Sequence, residues 1–393
     1  MSKILFVTSR NILTTSGELR LVKNRAESLF ESYQIVTDFL VWQTKERIMS
    51  TRREKILAGG SMELVEFSVF EFLKGYREIE RKINQKLDTA EYKMIVLSGF
   101  LMSSYAFKIK KKYDVKVAID VHGALEDVKE LAREASLKRR IKSMLIYYVD
   151  DWCLNKNFKN IDYCIVVSEA LKEYLNRRYS RNEEMKYIVV PCALNYEDVS
   201  PDNYLQARKK YRNKYKLKDR DVVFVYSGGI SKWQCIQETI DLYEKISAVL
   251  SNAKLLVFSH DIDYIKGLTE NSSVVFDSYP PEELEDALCA GDFAFLVRKD
   301  CITNNVAFPN KYLEYVKSGM NIISTPYVYE ISRQIEEYDI GYLYEFENDI
   351  GDILNYIKIT SKKHTYESQK IIKILEYNSF SKNLKCIEEI VNR

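Results

Sequence analysis

The sequence contains little histidine, no paired-cysteine motif and almost no net charge. Its seven cysteines are dispersed without a C-x-x-C pair, a pattern typical of reduced thiols in a cytoplasmic protein and not of a disulfide framework or a zinc site. A net charge of +2 over 393 residues gives no reason to expect nucleic acid as a partner. With 46% hydrophobic and 30% charged residues, the composition is that of a soluble globular protein of two or three domains.

Long hydrophobic runs are absent as well. The most apolar stretch, 94–107, is too short and too rich in Ser and Gly to span a bilayer. Because Ser2-Lys3 leads directly into a predicted strand, we expect no secretory signal and a cytoplasmic location.

Three catalytic fingerprints are missing or weak. The first predicted loop, Thr14-Thr15-Ser16-Gly17, is not G-x-G-x-x-G, which weakens a prediction of NAD or FAD. No G-x-S-x-G elbow is present, which disfavours hydrolase triad chemistry. The single D-x-D, Asp261-Ile262-Asp263 beside His260, could hold a metal, but a solvated loop explains so short a match better. We therefore expect neither a catalytic metal nor a bound cofactor.

Short apolar strands alternate with helical segments in both halves of the sequence. The predicted strands are 4–8, 34–42, 93–98, 115–120, 163–167 and 187–190 in the first half, and 222–226, 255–258, 274–276, 293–297 and 322–323 in the second. Residues 64–73 fit a strand or a helix, and residues 195–220 read as a helical connection between domains. The alternation predicts two parallel sheets with helices on both faces. Since ligands of such sheets bind beyond the carboxyl ends of the strands, we expect polar loops of both domains to line a cleft.

The stretch 304–325 reads as a loop, a helix and a buried strand. Pro309 fits the first turn of the helix and Gly319 its end. A helix N-terminus attracts anions, Lys311 adds a cation there, and Glu314 could accept hydrogen bonds from sugar hydroxyls. This combination suits a nucleotide diphosphate, although an ordinary surface Lys/Glu pair explains the residues equally well.

Two more loops follow predicted strands. Gly228 and Gly229 would let the backbone approach an anion closely, with Lys232 beside them, but an ordinary tight turn is the more frequent meaning of such a loop. His122, one of three histidines, comes directly after the strand that ends at Asp120. It could donate a hydrogen bond or a proton, or orient a sugar hydroxyl, and a structural histidine bonded to a loop carbonyl is an equal alternative.

A basic cluster precedes the apolar run 144–148. The cluster, Lys138-Arg139-Arg140 with Lys142, could contact an anionic membrane surface or a lipid-linked acceptor. A solvated helix face is the more frequent meaning of such a charge run.

Together these motifs resemble the GT-B glycosyltransferases, specifically retaining family four and, within it, the bacterial enzymes of capsule and cell-surface polysaccharide assembly. The family's P-x-K-x-x-E-Y run with a following Gly is matched by Pro309, Lys311, Glu314, Tyr315 and Gly319. Lys232 in SGGISKW matches the family's phosphate-binding lysine. The family's Asp-x-His segment, its serine after an N-domain strand and its hinge are matched by Asp120 and His122, by Ser168 and by 191–195.

The sequence departs from the family pattern at two places. Glu314 fits the second of two glutamates separated by seven residues, but Val306 stands in the place of the first. A subset of the family has Asn-Val-Ala-x-Pro there, as residues 305–309 do, so that Asn305 and the backbone amides of 306–308 would contact the donor sugar. The first loop has Ser16-Gly17 where the family has Gly-Gly.

The resemblance implies an α/β fold of the GT-B type, with two Rossmann-like, doubly wound β/α domains facing across a cleft. Residues 1–196 would form the acceptor-side domain, 197–375 the nucleotide-sugar donor domain, and 376–393 a helix that packs back on the first domain. The implied reaction transfers a sugar from a nucleotide-diphosphate sugar, most often UDP-linked, to a hydroxyl of a glycan or lipid-linked glycan, with retention of configuration and without a metal. The implied donor-binding residues are Gly17, Gly228, Gly229, Lys232, Asn305, Val306, Ala307, Phe308, Lys311 and Glu314, and the implied catalytic residues are His122 and Glu314.

Two other functions stay open. A nucleotide-sugar 2-epimerase shares the architecture but would need more carboxylates and histidines in the cleft than a chain with three histidines offers. A non-catalytic nucleotide-sugar-binding subunit is compatible with the missing first glutamate.

Overall fold

A computed structural model describes residues 1–10, 12, 17–45, 59–132, 136–179, 185–346, 349–361 and 365–392. The chain forms two compact units. The first unit consists of Met1–Ala193 together with Ser379–Arg393, and the second of Leu194–Asn378. The predicted loop 14–16 and His364 lie outside the described residues.

The first unit contains a seven-stranded sheet in which neighbouring strands are parallel. Its strands are β1 (Lys3–Thr8), β2 (Val36–Thr44), β3 (Met62–Phe67), β4 (Met94–Ser98), β5 (Lys116–Val121), β6 (Tyr163–Val166) and β7 (Lys186–Val189). Their order in the sheet is β3-β2-β1-β4-β5-β6-β7. β1 and β4 are apolar and buried along almost their whole length, as expected of central strands in a parallel sheet covered on both faces.

Helices connect the strands of the first unit. They are α1 (Gly17–Tyr33), α2 (Phe72–Thr89), α3 (Ala106–Lys112), α4 (Asp127–Ala132), α5 (Leu137–Asn157) and α6 (Glu169–Tyr179). In α1 the buried residues Leu19, Val22, Ala26 and Leu29 recur at helical spacing, so one face of this helix joins the core.

The second unit contains a six-stranded sheet, again with parallel neighbours. Its strands are β8 (Val222–Ser227), β9 (Ala253–Phe258), β10 (Val274–Asp277), β11 (Phe293–Leu296), β12 (Asn321–Ser324) and β13 (Gly341–Leu343). Their order is β10-β9-β8-β11-β12-β13. The ring of Phe224 stacks on the rings of Phe293 and Phe295, each at 5.3 Å between centroids, and this contact holds β8 against β11.

The second unit is completed by helices, four of which are only four to eight residues long. The helices are α7 (Pro201–Lys214), α8 (Ile236–Val249), α9 (Ile262–Lys266), α10 (Pro281–Leu288), α11 (Ile302–Asn305), α12 (Asn310–Lys317), α13 (Tyr329–Tyr338), α14 (Ile350–Thr360) and α15 (Ser368–Tyr377). None of the described helices in either unit combines the length and the apolar character needed to cross a membrane.

After α15 the chain returns to the first unit. It forms α16 (Phe380–Asn383) and α17 (Lys385–Val391), and Ser379 caps α16 by accepting a hydrogen bond from the amide of Lys382. Leu384, Ile387 and Val391 are buried, so this return segment contributes apolar side chains to the first unit.

The structure confirms the predicted two parallel sheets and refines their boundaries. The ambiguous residues 64–73 contain both the end of β3 and the beginning of α2. Pro309 lies at the N-cap of α12, one position before the first helical residue. Gly319 has a φ of 69°, as predicted for a glycine that ends a helix.

Each sheet has a point at which the strand order changes direction. It lies between β1 and β4 in the first unit and between β8 and β11 in the second. The loops that leave the carboxyl ends of these two strands diverge, which creates the crevice where open α/β sheets bind ligands. We therefore expect ligand-binding residues in the loops after β8 and β11, and in the loops after β1, β4 and β5.

Candidate functional site

The loop after β8 brings backbone next to a lysine side chain. Gly228 has a φ of 141°, and a Cβ atom on it would lie 2.5 Å from Nζ of Lys311 and 2.6 Å from Oε1 of Gln234. Only glycine fits here, because a side chain would both strain the backbone and displace Lys311. The loop therefore approaches the first turn of α12 closely.

Lys311 is half-buried among neutral groups. Its Nζ donates a hydrogen bond of 2.5 Å to Oε1 of Gln234 and lies 4.8 Å from the ring centroid of Tyr226. Burial lowers the pKa of Lys311 well below its ordinary value, the charge of Arg298 lowers it further, and Glu314 opposes the shift. The folded protein therefore holds this ammonium at an electrostatic disadvantage.

Arg298 follows β11 and is 4% exposed. Its Nη1 donates to the carbonyl oxygens of Gln234 at 2.9 Å and of Val297 at 3.0 Å. Burial lowers the pKa of Arg298 as well. We call Lys311 and Arg298 the cation pair.

The cation pair has no negative partner in the part of the chain that the structure describes. Among the described residues, no carboxylate lies within 4.0 Å, the distance of an ion pair, of either side chain. Half-buried Lys311 lies beside Gly228, and both it and buried Arg298 contact Gln234. Two cations held together in this way form an environment that favours an anion.

Tyr315 fixes α12 against the glycine loop. Its buried hydroxyl accepts a hydrogen bond of 2.9 Å from the amide of Ser227, the last residue of β8. Burial raises the pKa of Tyr315, so the hydroxyl stays protonated and the contact stays neutral. The N-terminus of α12 is thereby held beside the end of β8.

Glu314 lies one helical turn after Lys311 and is only 8% exposed. It lines a pocket of about 390 Å³ within the second unit, together with Lys317 and Tyr366. Lys317 is paired in this pocket with Asp198 at 3.0 Å and Glu285 at 2.8 Å. Helix α12 therefore presents a cation without a carboxylate partner at one end and the Glu314 carboxylate a turn later.

The residues before α12 are placed by their own hydrogen bonds. Nδ2 of Asn305 donates to Oδ1 of Asp300 and to the carbonyl of Tyr327, both at 3.0 Å. The amides of Val306 and Ala307 donate to the carbonyls of Ile302 and Asn304 in α11, at 3.2 Å each. Phe308 is buried and packs edge-on against Tyr312. Because the amides of Val306 and Ala307 are already engaged within the protein, they are poor candidates for contacting a donor sugar.

Lys232 and Gly229 lie in the same loop but away from the cation pair's direct contacts. Lys232 is exposed and begins a one-turn helix, Lys232–Gln234. The side chain of this turn that reaches Lys311 belongs to Gln234. A Cβ on Gly229 would meet Asp261 at 3.2 Å, so this glycine adjoins the loop after β9. Assignment of Lys232 to phosphate binding stays a prediction.

Sequence reasoning missed Gln234 and Arg298. Arg298 comes directly after the apolar run 293–297, which is the signal that singled out His122 after β5. A charged residue at the carboxyl end of a buried strand could therefore have been recognised. Gln234 carries no comparable signal, because only the turn that follows Ser231 directs it toward Lys311.

In the first unit, Asp120 joins His122 to a buried arginine. Oδ2 of Asp120 is 2.6 Å from Nε2 of His122, and Oδ1 accepts a hydrogen bond of 2.9 Å from Nη1 of Arg25. Arg25 also donates to the carbonyl of Val190. Burial would raise the pKa of Asp120, but His122 and Arg25 hold it below its ordinary value. The carboxylate therefore stays ionised and accepts a hydrogen bond from Nε2–H of His122.

This hydrogen bond determines which nitrogen of His122 remains an acceptor. Burial lowers the pKa of His122, and Asp120 offsets only part of that shift, so the ring is neutral near pH 7. With the proton on Nε2, the Nδ1 lone pair has no partner among the described residues. His122 is thus suited to accept a hydrogen bond from a hydroxyl.

Gly17, the remaining predicted site residue of this unit, is the first residue of α1.

No metal cluster is evident in the described ranges. There, no group of three or more His, Cys, Asp or Glu side chains is placed to hold a metal ion. Next to the D-x-D stretch, Nδ1 of His260 is 2.8 Å from Oγ of Ser278, and Oγ of Ser259 accepts from the amide of Asp261. These contacts fit the solvated-loop interpretation of residues 260–263.

A carboxyl group near Arg10 provides a pH-dependent test of the first unit. Burial raises the pKa of Asp150 on α5 to about 6, and Arg10 offsets part of the rise. The pKa of an unfolded aspartate is about 3.9. Ionisation of Asp150 in the folded protein therefore lowers the free energy of unfolding as the pH rises from about 4 through about 6. Asp150→Asn should raise stability at about pH 8 by roughly 1–2 kcal/mol and have no effect at about pH 4.

Thermal unfolding across this pH range measures the effect of Asp150→Asn. The matched control is Asp151→Asn, because Asp151 accepts hydrogen bonds from Arg178 at 3.0 Å and Tyr179 at 2.7 Å. That variant should lose stability at neutral pH. An equal gain from Asp150→Asn at both pH values would show that burial of its charge is not the cause.

No family model matches the chain. Over 179 residues it is 23% identical to an uncharacterised glycosyltransferase of Methanocaldococcus jannaschii, a match that covers 44% of this chain and 40% of that protein. Sucrose-phosphate synthase from Thermosynechococcus elongatus has a similar structure, with a TM-score of 0.69, 13% identity and coverage of 99% of this chain and 96% of that one.

A second similar structure is that of HepE from Anabaena in complex with UDP and glucose. It has a TM-score of 0.66 and 13% identity, and the likeness covers both chains completely, at 100% each. Both likenesses extend over two parallel-sheet α/β units, which here have seven and six strands. The chain has the GT-B fold of glycosyltransferases.

Proposed function

We propose that this protein is a glycosyltransferase that moves a sugar from a UDP-sugar to a hydroxyl of a glycan or lipid-linked glycan. The observation that carries the proposal is the cation pair of the second unit: Lys311 lies beside Gly228, and both Lys311 and Arg298 contact Gln234. The name of the M. jannaschii relative and the UDP and glucose in the HepE complex support the same activity and donor.

The cation pair is suited to the charge of a leaving diphosphate. As the bond between the anomeric carbon and the diphosphate oxygen breaks, negative charge grows on that oxygen. Lys311 and Arg298 lie in a partly water-excluded environment, where a fixed positive charge stabilises such an oxygen more than it would in water. In this proposal they provide the charge neutralisation, so the reaction needs no metal.

Glu314 and His122 have roles as hydrogen-bond acceptors. We assign the Glu314 carboxylate to the ribose hydroxyls, because it follows Lys311 by one helical turn. We assign Nδ1 of His122 to a hydroxyl of the donor sugar, because the Asp120 contact leaves that nitrogen as an acceptor. Retention of configuration and a role in surface-polysaccharide assembly belong to the same proposal and rest on the sequence motifs.

Separate ligands test the two ends of α12. UDP and inorganic pyrophosphate should each raise the melting temperature of the protein, since both would bind the folded state at the cation pair. Glu314→Gln should weaken UDP binding by about tenfold and leave pyrophosphate binding unchanged, because only UDP carries a ribose. Glu283→Gln, the same change at an exposed position of α10, is the matched control.

Release of UDP from a panel of UDP-sugars then tests catalysis. One UDP-sugar should both stabilise the protein and be hydrolysed slowly, with its sugar transferred to water and UDP released. Stabilisation by UDP-sugars without release in the presence of a range of glycan acceptors would contradict the transferase proposal. Absence of any nucleotide effect would overturn the assignment of the cation pair itself.

A further inference from the structure

Helix α5 of the first unit presents a continuous apolar stripe to solvent. Five large apolar side chains on it are between 59% and 73% exposed: Leu137, Ile141, Leu145, Tyr148 and Trp152. Their spacings of 4, 4, 3 and 4 residues place all five on one face of a helix. We call these five residues the outer stripe. The opposite face is anchored in the unit by Tyr147, Leu154 and Asn157, which are buried.

Basic residues accompany the outer stripe. Lys138, Arg139, Arg140, Lys142 and Lys156 are all exposed, and none of them is in an ion pair within the described chain. The only acids of α5 are Asp150 and Asp151. Asp150 is half-buried, and Asp151 accepts hydrogen bonds from Arg178 and Tyr179. The exposed face of α5 therefore carries positive charge and no exposed carboxylate.

The cations at the start of α5 lower the stability of this helix. Lys138, Arg139 and Arg140 occupy the first turn of α5, and that turn contains no acidic residue. Cations at this end oppose the helix dipole, which prefers negative charge there. A local arrangement that lowers helix stability without an evident structural gain points to a surface kept for binding.

We propose that the outer stripe and its cations form a docking surface for an anionic lipid bilayer. An amphipathic helix of this kind lies in the interface, with its apolar side chains among the acyl chains and its cations at the phosphate level. Tyr148 and Trp152 suit that depth, because each has a large ring and a polar group. Nζ of Lys156 lies 4.7 Å from the ring centroid of Trp152, which places a cation at the same level.

Charge complementarity distinguishes the bilayer from a second copy of the chain. If two such faces met, the five cations of one copy would find no exposed carboxylate on α5 of the other. Like charges opposed across an interface disfavour association. An anionic headgroup layer instead offers a partner to every cation. The docking surface lies wholly on α5 and is independent of the proposed catalytic activity.

Vesicle sedimentation with the full chain tests the docking surface. The protein should pellet with vesicles of phosphatidylcholine containing about 30% phosphatidylglycerol at least about tenfold more than with phosphatidylcholine alone. Raising the salt concentration should reduce this binding. The double variant Leu145→Glu/Trp152→Glu should lose it, whereas Val249→Glu/Ile359→Glu, at exposed apolar positions of the second unit, should keep it.

A charge-matched pair of variants separates local from overall charge. Changing Lys138, Arg139, Arg140 and Lys142 to Gln takes the net charge from +2 to −2 and should abolish the preference for anionic vesicles. The control changes four exposed cations of the second unit to Gln and reaches the same net charge; these are Lys209, Arg220, Lys245 and Lys358. The control should bind as the wild type does.

Three results would overturn the proposal. Wild-type protein could remain in the supernatant with both vesicle types, or both charge variants could lose binding equally. The outer-stripe variant could also convert a dimer into a monomer by light scattering while vesicle binding is absent, which would identify a second copy as the occupant. Unchanged melting temperatures of all variants confirm that they are folded.

Discussion

Replacing Lys311 with methionine should strongly weaken binding of UDP and pyrophosphate and make the free protein more stable. The ammonium contributes charge to the anion site, and loss of a charged hydrogen bond there should weaken binding by about 10- to 100-fold. In the free protein the same ammonium is half-buried beside Arg298, and burial lowers its pKa. A methionine of similar length removes that cost, so we expect a gain of roughly 1–2 kcal/mol. Calorimetry with and without UDP measures both effects.

The pH dependence of the Lys311→Met effect has a defined sign. Because the pKa of Lys311 is lower in the folded protein than in the unfolded chain, folding of the wild type becomes more favourable as pH rises toward the ordinary lysine pKa. The advantage of methionine should therefore shrink as pH rises. A constant advantage would show that packing, not charge, is responsible.

Lys317→Met is the matched control on the same helix. Lys317 is paired with Asp198 and Glu285, and although burial acts to lower its pKa, these partners raise it above the ordinary value. Its removal should destabilise the protein, the opposite sign to Lys311→Met. If both substitutions destabilise equally, the electrostatic account of the cation pair is wrong.

Asp120→Ala should be among the most destabilising single changes in the first unit. The carboxylate is 1% exposed and is shared between Arg25 and His122. Its removal would leave the buried Arg25 guanidinium without its negative partner, at a cost of roughly 3–5 kcal/mol. Chemical denaturation of Asp120→Ala, of Arg25→Met and of the double variant measures the coupling free energy between the two side chains.

Arg25→Met combined with Asp120→Ala should cost less than the sum of the single changes, because the double variant buries no unpaired charge. A strictly additive result would mean that the two side chains act independently. Lys110→Ala, which removes the partner of Asp162 on the exposed edge of the same unit, should change stability by less than about 1 kcal/mol and provides the surface comparison.

The sequence signals that succeeded are short-range. Strand and helix periodicity located both sheets, and Gly319 marked the end of α12 because a left-handed C′ position selects glycine locally. The Lys311–Glu314 spacing is likewise a property of a single helical turn. Such features can be read without knowing what lies elsewhere in the chain.

The contacts that could not be predicted join residues that are distant in the sequence. Lys311 meets Gln234 across 77 residues, Arg298 meets Gln234 across 64, and Arg25 meets Asp120 across 95. Lys232 drew attention because a lysine after glycines suits phosphate. Lys232 begins a turn that ends at Gln234. The next residue, Cys235, has a φ of 50° and redirects the chain into α8. No local pattern shows that this turn would present Gln234 to Lys311.

The return of residues 379–393 to the first unit has a consequence for synthesis on the ribosome. The second unit is one continuous segment and can fold as soon as residue 378 has emerged. The first unit begins earlier in the chain but lacks Leu384, Ile387 and Val391 until the last helix is made. Oγ of Ser2 donates to Oδ1 of Asn392 at 2.8 Å, so residues 390 positions apart are in contact in the finished unit. The unit that starts first is therefore completed last.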